Sequence, residues 1–204
     1  MKIVTRTLPF FTLFLLVLLL SNFSALAQKT TIWVVRHAEK AAAAPGVENL
    51  DPSLSEDGQT RAIDLAKELK HDNIKTIYAT NTKRSGQTAR PLAVQARILP
   101  KVYTDSIKAF AKTLLINFRG TKVLVVAHSN TVMPLIEALG ADRPLEALSE
   151  EDFDMLFKVT IKDNGKVDLE VLYYGSLHHT SELPEKFQPT RLDFKPFTGT
   201  ATHF

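Results

Sequence analysis

The stretch TIWVVRHAEK (residues 31–40) joins a β-rich apolar run directly to charged side chains. The run from Thr31 to Val35 is unbroken and too short for a typical helix, which predicts a strand covered on both faces in a parallel sheet. Similar runs recur at residues 74–79 and 123–127, and a further short strand is predicted over 98–103. Strands of this kind indicate an α/β domain, provided that helices fill the intervals between them.

Helical patterns do fill those intervals. Ser55 precedes two acidic residues and predicts a helix start, with residues 62, 65, 66 and 69 on one apolar face. A second helix follows residue 80 and must begin late or kink at Pro91. A third is predicted over 106–118, ended by Gly120, and a fourth over 131–139, with Pro134 in its first turn.

The C-terminal third of the chain has a different pattern. Residues 155–161 and 166–173 flank the turn sequence Asp163-Asn164-Gly165, and the second segment alternates apolar and polar residues. This predicts a hairpin at the sheet edge. The whole pattern predicts a three-layer α/β/α fold with a mostly parallel central sheet and an edge hairpin, over residues 28–180. Residues 181–204 contain three prolines and little periodicity, and are predicted to form an irregular tail.

The N-terminus has the layout of a secretory signal peptide. Lys2 and Arg6 precede an apolar stretch, Leu8 to Leu20, and a small-residue pattern ends at Ala27. Cleavage after Ala27 predicts an exported protein, periplasmic or extracellular, without stable membrane association. The alternative is an uncleaved anchor, because the uncharged stretch over residues 7–28 is just long enough to span a bilayer.

Composition excludes several classes of protein. The 204 residues contain no cysteine, which rules out disulfide scaffolds, zinc-thiolate sites and cysteine nucleophiles. The full chain has a net charge of +3, but residues 28–204 carry 23 basic and 22 acidic side chains. A nucleic-acid partner is therefore not predicted.

Charged residues follow three of the predicted strands. Arg36 and His37 come directly after the first strand, Lys83 and Arg84 soon after the second, and HSN (residues 128–130) directly after the strand at 123–127. The carboxyl ends of parallel strands meet at one edge of a sheet, where ligands bind. The segment after His128 also begins a helix, whose free N–H groups favour an anion. We therefore predict a phosphate site whose members come from all three places: Arg36, His37, Arg84, His128, Ser129 and Asn130.

These residues lie in motifs that resemble those of the histidine phosphatase superfamily, the phosphoglycerate-mutase-like proteins. VRHAEK (35–40) resembles its Arg-His-Gly signature, and LSEDG (54–58) its Leu-Thr-x-x-Gly helix start. TNTKRSGQTA (80–89) is similar to its Ser-x-x-x-Arg-x-x-x-Thr-Ala segment, and VVAHSN (125–130) to the segment with its second histidine. The resemblance covers about residues 30–140 and is strongest to short exported or phosphohistidine-phosphatase-like members. Ala38 and Ala127 depart from the family's glycines.

The resemblance implies a mechanism. His37 is expected to attack phosphorus and form a phosphohistidine that water hydrolyses. Arg36 and Arg84 would disfavour the charged form of its imidazole and, with His128, would bind the phosphate oxygens. Because arginines then carry the charge stabilisation, we expect a hydrolase of small phosphorylated substrates that needs no metal and no cofactor.

The general acid for the leaving oxygen is less well defined. Asp105 stands where many relatives of the family place a carboxylate, but Thr104-Asp105 is equally well interpreted as the N-cap of the following helix. Glu39 is the other candidate, and its alternative interpretation is an ion pair with Lys40 or a neighbouring arginine. Neither residue is preferred on sequence grounds.

Two other functions are compatible with the sequence. The first is a catalytically silent phosphate-binding domain that keeps the pocket but lacks an effective acid. The second is a metal-dependent phosphatase, which is weaker because no closely spaced His/Asp ligand set is present and His178-His179 on a strand would point to opposite faces. These two histidines, like His71 and His203, are predicted to be structural or surface residues.

Overall fold

The computed structural model describes residues 29–43, 45–46 and 49–189. The predicted signal peptide, and the part of the predicted tail from residue 190 onward, lie outside these residues. Within them, no helix has the length and apolar character that crossing a membrane requires.

A six-stranded sheet forms the centre of the molecule, with strand order β3-β2-β4-β1-β5-β6. The strands β3, β2, β4 and β1 are parallel, whereas β5 pairs antiparallel with both β1 and β6. The strands are β1 (Thr30–Arg36), β2 (Thr76–Ala79), β3 (Lys101–Val102), β4 (Lys122–Ala127), β5 (Met155–Ile161) and β6 (Val167–Tyr173). The predicted fold class is confirmed, and the second strand of the predicted hairpin is the edge of the sheet.

In the described part of the chain, four α-helices connect or follow the parallel strands, and each begins at a polar residue that caps it. They are α1 (Glu56–Glu68), α2 (Lys83–Ala96), α3 (Ile107–Asn117) and α4 (Ser129–Ala138). Side chains of Ser55, Thr82 and Ser106 accept hydrogen bonds from the first turns of α1, α2 and α3. His128 is the N-cap residue of α4.

Each face of the sheet packs against two helices, and this arrangement explains the unbroken apolar strands. Ile32 and Val34 of β1 point into a core formed with α3 and α4, whereas Trp33 and Val35 point into a second core formed with α1 and α2. All residues of β1 are buried. Successive side chains of a strand alternate between its two faces, so a central strand covered on both sides is apolar throughout.

Several boundaries differ from the sequence-based predictions. Helix α2 does not begin late: it starts at Lys83 and continues past Pro91, because burial of Leu92 and its neighbours on that turn offsets the lost hydrogen bond. Helix α4 begins at Ser129, which places Pro134 beyond its first turn. Strand β3 contains two exposed residues only. The N-cap of α3 is Ser106, not Thr104 or Asp105.

Candidate active site

His37 lies at the carboxyl end of the central strand β1 and is 5% exposed. Its amide donates a hydrogen bond to the carbonyl oxygen of Ala127, which ties it to the neighbouring strand β4. Nδ1 of the ring is 2.8 Å from the carbonyl oxygen of Ala38. A carbonyl can only accept, so Nδ1 carries the proton and Nε2 keeps its lone pair. The imidazole is therefore held in the tautomer that a nucleophile needs.

The second histidine stands beside the first. The ring centroids of His37 and His128 are 5.2 Å apart, in an edge-to-face arrangement. Nε2 of His128 is 2.8 Å from the hydroxyl of Thr80, which in turn donates to Ser85 over 2.7 Å. Thr80 follows β2, so three adjacent parallel strands contribute to one site at their carboxyl ends, as the α/β rule predicts.

Two arginines complete this group. Arg36 precedes His37 and has a side chain only 3% exposed, and Arg84 lies in the first turn of α2 with a side chain 18% exposed. Both guanidinium groups are close enough to act on the charge state of the His37 ring. Among the described residues, neither buried Nε atom has a hydrogen-bond partner. Buried donors of this kind are expected to bind a ligand or water.

The environment keeps both imidazoles neutral. Burial, with the positive charges of Arg36 and Arg84 and the neighbouring His128 ring as smaller contributions, lowers the pKa of His37 to about 4, although its bond to Ala38 opposes the shift. Burial, followed by the charges of Arg84 and Arg36, also lowers the pKa of His128. At neutral pH, Nε2 of His37 is thus free to attack an electrophile.

The family-like motifs also have structural roles that position these groups. The Thr88 hydroxyl accepts a hydrogen bond from the Ala38 amide over 2.9 Å and donates to the Arg84 carbonyl over 2.8 Å. It therefore joins the His37 loop to the helix that carries Arg84. At Gly58, a Cβ atom would lie 2.2 Å from the carbonyl oxygen of Glu39, so α1 approaches this loop more closely than any side chain allows.

The structure gives the two candidate acids different surroundings. Asp105 is exposed. Within the described part of the chain it has no hydrogen bond or ion pair to Arg36, His37, Arg84 or His128. Glu39 is buried and forms an ion pair with Nε of Arg61 over 2.7 Å, with His178 Nδ1 at 3.0 Å from the same oxygen. Burial alone would raise the pKa of Glu39, but hydrogen bonds from His178, its own backbone and Arg61 outweigh it and lower that pKa. A carboxylate held in this way is a poor proton donor.

Sequence reasoning missed the loop over residues 149–154, which packs against Arg36. Nη1 of Arg36 donates to the Ser149 carbonyl over 2.6 Å, Nη2 lies 3.1 Å from Oε2 of Glu150, and the Phe153 ring stacks 4.2 Å from the guanidinium. Four carboxylates within the sequence SEEDFD were the available signal, but nothing in that run indicates which of them faces the site.

Hydrogen bonds fix this loop against the segment that follows β6. The Asp152 carboxylate accepts from the Ser149 amide and from the amides of Thr180 and Ser181. Burial alone would raise the pKa of Asp152, but these bonds and that of the Ser181 hydroxyl lower it to about 2. His178 and His179, predicted to be structural or surface residues, both bond to acidic side chains here.

The remaining predicted ligands lie at the start of α4. The Ser129 hydroxyl is 3.4 Å from Oε1 of Glu150, and Asn130 is exposed. Their binding roles remain predictions. Among the residues that the structure describes, no three His, Asp or Glu side chains are grouped as metal ligands.

One protein family matches part of the chain. Residues 32–108 match the model of the histidine phosphatase superfamily, branch 1, over a segment that includes His37 and Arg84. No curated protein sequence matches the chain significantly.

Solved structures share the fold. A candidate phosphohistidine phosphatase, SixA, from Agrobacterium tumefaciens is 19% identical, with a TM-score of 0.54 over 72% of this chain and 99% of that one. The protein histidine phosphatase SixA in complex with tungstate is 18% identical, with a TM-score of 0.56 over 74% and 96%. A mycobacterial glucosyl-3-phosphoglycerate phosphatase with inorganic phosphate is 15% identical, with a TM-score of 0.54 over 72% and 97%. Residues 32–108 thus match the histidine phosphatase superfamily, and the described chain has the same fold as these solved phosphatases.

Proposed function

We propose that the protein is a metal-independent phosphomonoesterase that acts through a phosphohistidine on His37. The observation that carries the proposal is the state of the His37 ring: neutral, with Nδ1–H bonded to the Ala38 carbonyl and Nε2 unprotonated. Arg36, Arg84 and His128 surround it, as a phosphate dianion requires. The family match over residues 32–108 supports a phosphatase activity in general, and the structures cited above include a protein histidine phosphatase and a glucosyl-3-phosphoglycerate phosphatase by name.

The reaction has two steps. Nε2 of His37 attacks phosphorus while the bond to the leaving oxygen breaks, and water then attacks the phosphohistidine and releases inorganic phosphate. Arg36 and Arg84 neutralise the equatorial oxygens, so no metal ion is needed for charge stabilisation. The substrate is a small phosphorylated molecule. The N-terminal pattern over residues 1–27 supports export, which places that substrate outside the cytoplasm.

The test is trapping of the intermediate. Acid-sensitive, base-stable ³²P label on the protein is expected within one turnover of labelled p-nitrophenyl phosphate, and absent in His37→Ala. His71→Ala is the matched control, because His71 is exposed and ends a short 3₁₀ helix that follows α1. EDTA should leave turnover unchanged. A His37→Ala variant with normal turnover would refute the nucleophile, and binding without labelling would indicate the silent phosphate-binding domain.

Export has its own measurement. The intact mass of the protein recovered from the periplasm or medium should correspond to residues 28–204. A mass that still includes Met1 to Ala27 would instead support the uncleaved N-terminal anchor.

A further inference from the structure

The carboxylate of Glu150 binds two of the groups predicted to bind phosphate. Oε2 lies 3.1 Å from Nη2 of Arg36, and Oε1 lies 3.4 Å from the hydroxyl of Ser129. The Arg36 side chain is 3% exposed and that of Glu150 is 69% exposed. The carboxylate therefore lies on the solvent side of a buried guanidinium.

This contact is not needed to hold Arg36. The guanidinium already donates to the Ser149 carbonyl and packs on the Phe153 ring. An ion pair with so exposed a partner contributes little to stability. A phosphate dianion offers the same acceptor geometry with more charge, and would replace the Glu150 carboxylate on Arg36.

Glu150 also differs from the other carboxylates around the site. In its own loop, Glu151 faces His178, Asp152 is held by backbone amides, and Asp154 accepts from His178 and His179. Across the site, Asp51 lies 3.7 Å from Arg84 but is anchored by the Lys83 amide, which a phosphate on the arginines would not displace. Of these carboxylates, Glu150 is the one bound only by groups that the substrate would take.

We propose that Glu150 is the general acid and base of the reaction, released from Arg36 when substrate phosphate binds; this assignment rests on the proposed function. Release from Arg36 leaves the carboxyl group free to exchange a proton with the leaving oxygen and with water. As Nε2 of His37 forms its bond to phosphorus, the P–O bond breaks and the leaving oxygen takes the proton from Glu150. The resulting carboxylate then accepts a proton from the water that attacks the phosphohistidine, and the P–N bond breaks.

The geometry suits this role. A leaving oxygen lies opposite the attacking nitrogen in an in-line displacement. A leaving oxygen directed away from the buried His37 ring therefore points toward solvent, and Glu150 lies on the solvent side of Arg36.

The test compares Glu150→Gln with Glu151→Gln on two substrates of different leaving-group basicity. For a sugar or glycerol phosphate, whose alkoxide must be protonated, Glu150→Gln should lower kcat/KM by ~10²–10⁴-fold. For 2,4-dinitrophenyl phosphate, whose phenolate leaves without a proton, the loss should be below about tenfold, since no acid is needed. The comparison uses kcat/KM because this parameter reports only the steps up to departure of the leaving group. The later hydrolysis of the phosphohistidine does not contribute to it. Glu151→Gln should behave like wild type.

Two outcomes overturn the assignment alone. If Glu150→Gln lowers kcat/KM equally for both substrates, Glu150 has a role in binding. If kcat/KM is unchanged and phosphate binds more tightly, Glu150 only competes with phosphate for Arg36. The proposed function fails separately, and the assignment with it, if the wild-type protein forms no phosphohistidine from 2,4-dinitrophenyl phosphate. Glu150→Gln should still form that intermediate. Its melting temperature should stay unchanged, because the side chain is exposed.

Discussion

Replacement of Gly58 by alanine tests the close approach of α1 to the loop that carries His37. The added Cβ would lie 2.2 Å from the Glu39 carbonyl oxygen, and contacts of real Cβ atoms are essentially never under 3.0 Å. The gap must therefore widen by about 0.8 Å. The same carbonyl oxygen accepts the Ser55 amide over 3.0 Å, so the helix start and the loop must separate together.

The expected cost follows from comparison with an ordinary helix glycine. Gly86 lies in α2, and a Cβ atom there would meet no atom within 4 Å. Gly86→Ala should stabilise the protein by up to ~1 kcal/mol, because alanine restricts the unfolded chain and favours a helix. Gly58→Ala has the same intrinsic gain but forces an overlap with backbone, which typically costs ~1–3 kcal/mol and occasionally more.

Thermal unfolding and kinetics of both variants give the measurement. Each kcal/mol should shift the melting temperature by ~2–4 °C in a domain of this size, upward for Gly86→Ala and downward for Gly58→Ala. Because Glu39 is two residues from the nucleophile, a displacement of nearly 1 Å should also reduce kcat/KM of Gly58→Ala by up to ~10²-fold. Equal stabilisation by both substitutions would contradict the claimed close approach.

Three further predictions concern the charges and hydrogen bonds of the site. With a pKa of about 4, His37 should be about 99% neutral at pH 6 and should become protonated only as the pH falls through about 4. NMR titration of the ring, with its signals assigned by comparison with His37→Ala, measures this pKa. A midpoint near pH 6.5 would contradict the prediction. Thr80→Val removes the 2.8 Å contact to Nε2 of His128 and should lower kcat/KM about fivefold to tenfold with little change in melting temperature; unchanged kinetics would mean that the contact does not orient the ring. Glu39→Gln leaves Arg61 buried and unpaired and should cost ~3–5 kcal/mol in urea unfolding, part of which the Glu39→Met/Arg61→Met double variant should recover. Since folding lowers the pKa of Glu39, its contribution to the free energy of unfolding should be complete above pH 4.5 and should be lost as the pH falls below that value. A contribution that does not change with pH would contradict the Glu39–Arg61 ion pair.

The sequence was sufficient where a property depends on local pattern. The apolar run at β1, the capping residue Ser55 and the turn at residues 163–165 each predict their element from neighbours in the chain. Edge placement of the hairpin also followed, because β6 alternates polar and apolar residues. Arg36, His37 and His128 could be predicted to converge, because parallel strands of a single sheet end on one side.

Tertiary structure alone decided which polar groups meet across long separations in the chain. Glu39 is a potential acid by its position beside His37, yet Arg61 and His178 bind its carboxylate after the fold brings them together. Asp105 stands where many relatives of the family place a carboxylate, but the next residue, Ser106, is the N-cap of α3, and the structure leaves the Asp105 carboxylate exposed. Glu150 carried no distinguishing signal, because the direction of an exposed side chain depends on loop hydrogen bonds such as those of Asp152 rather than on periodicity. Local patterning determines the strands and helices, whereas partners for charged groups depend on the distances that packing sets.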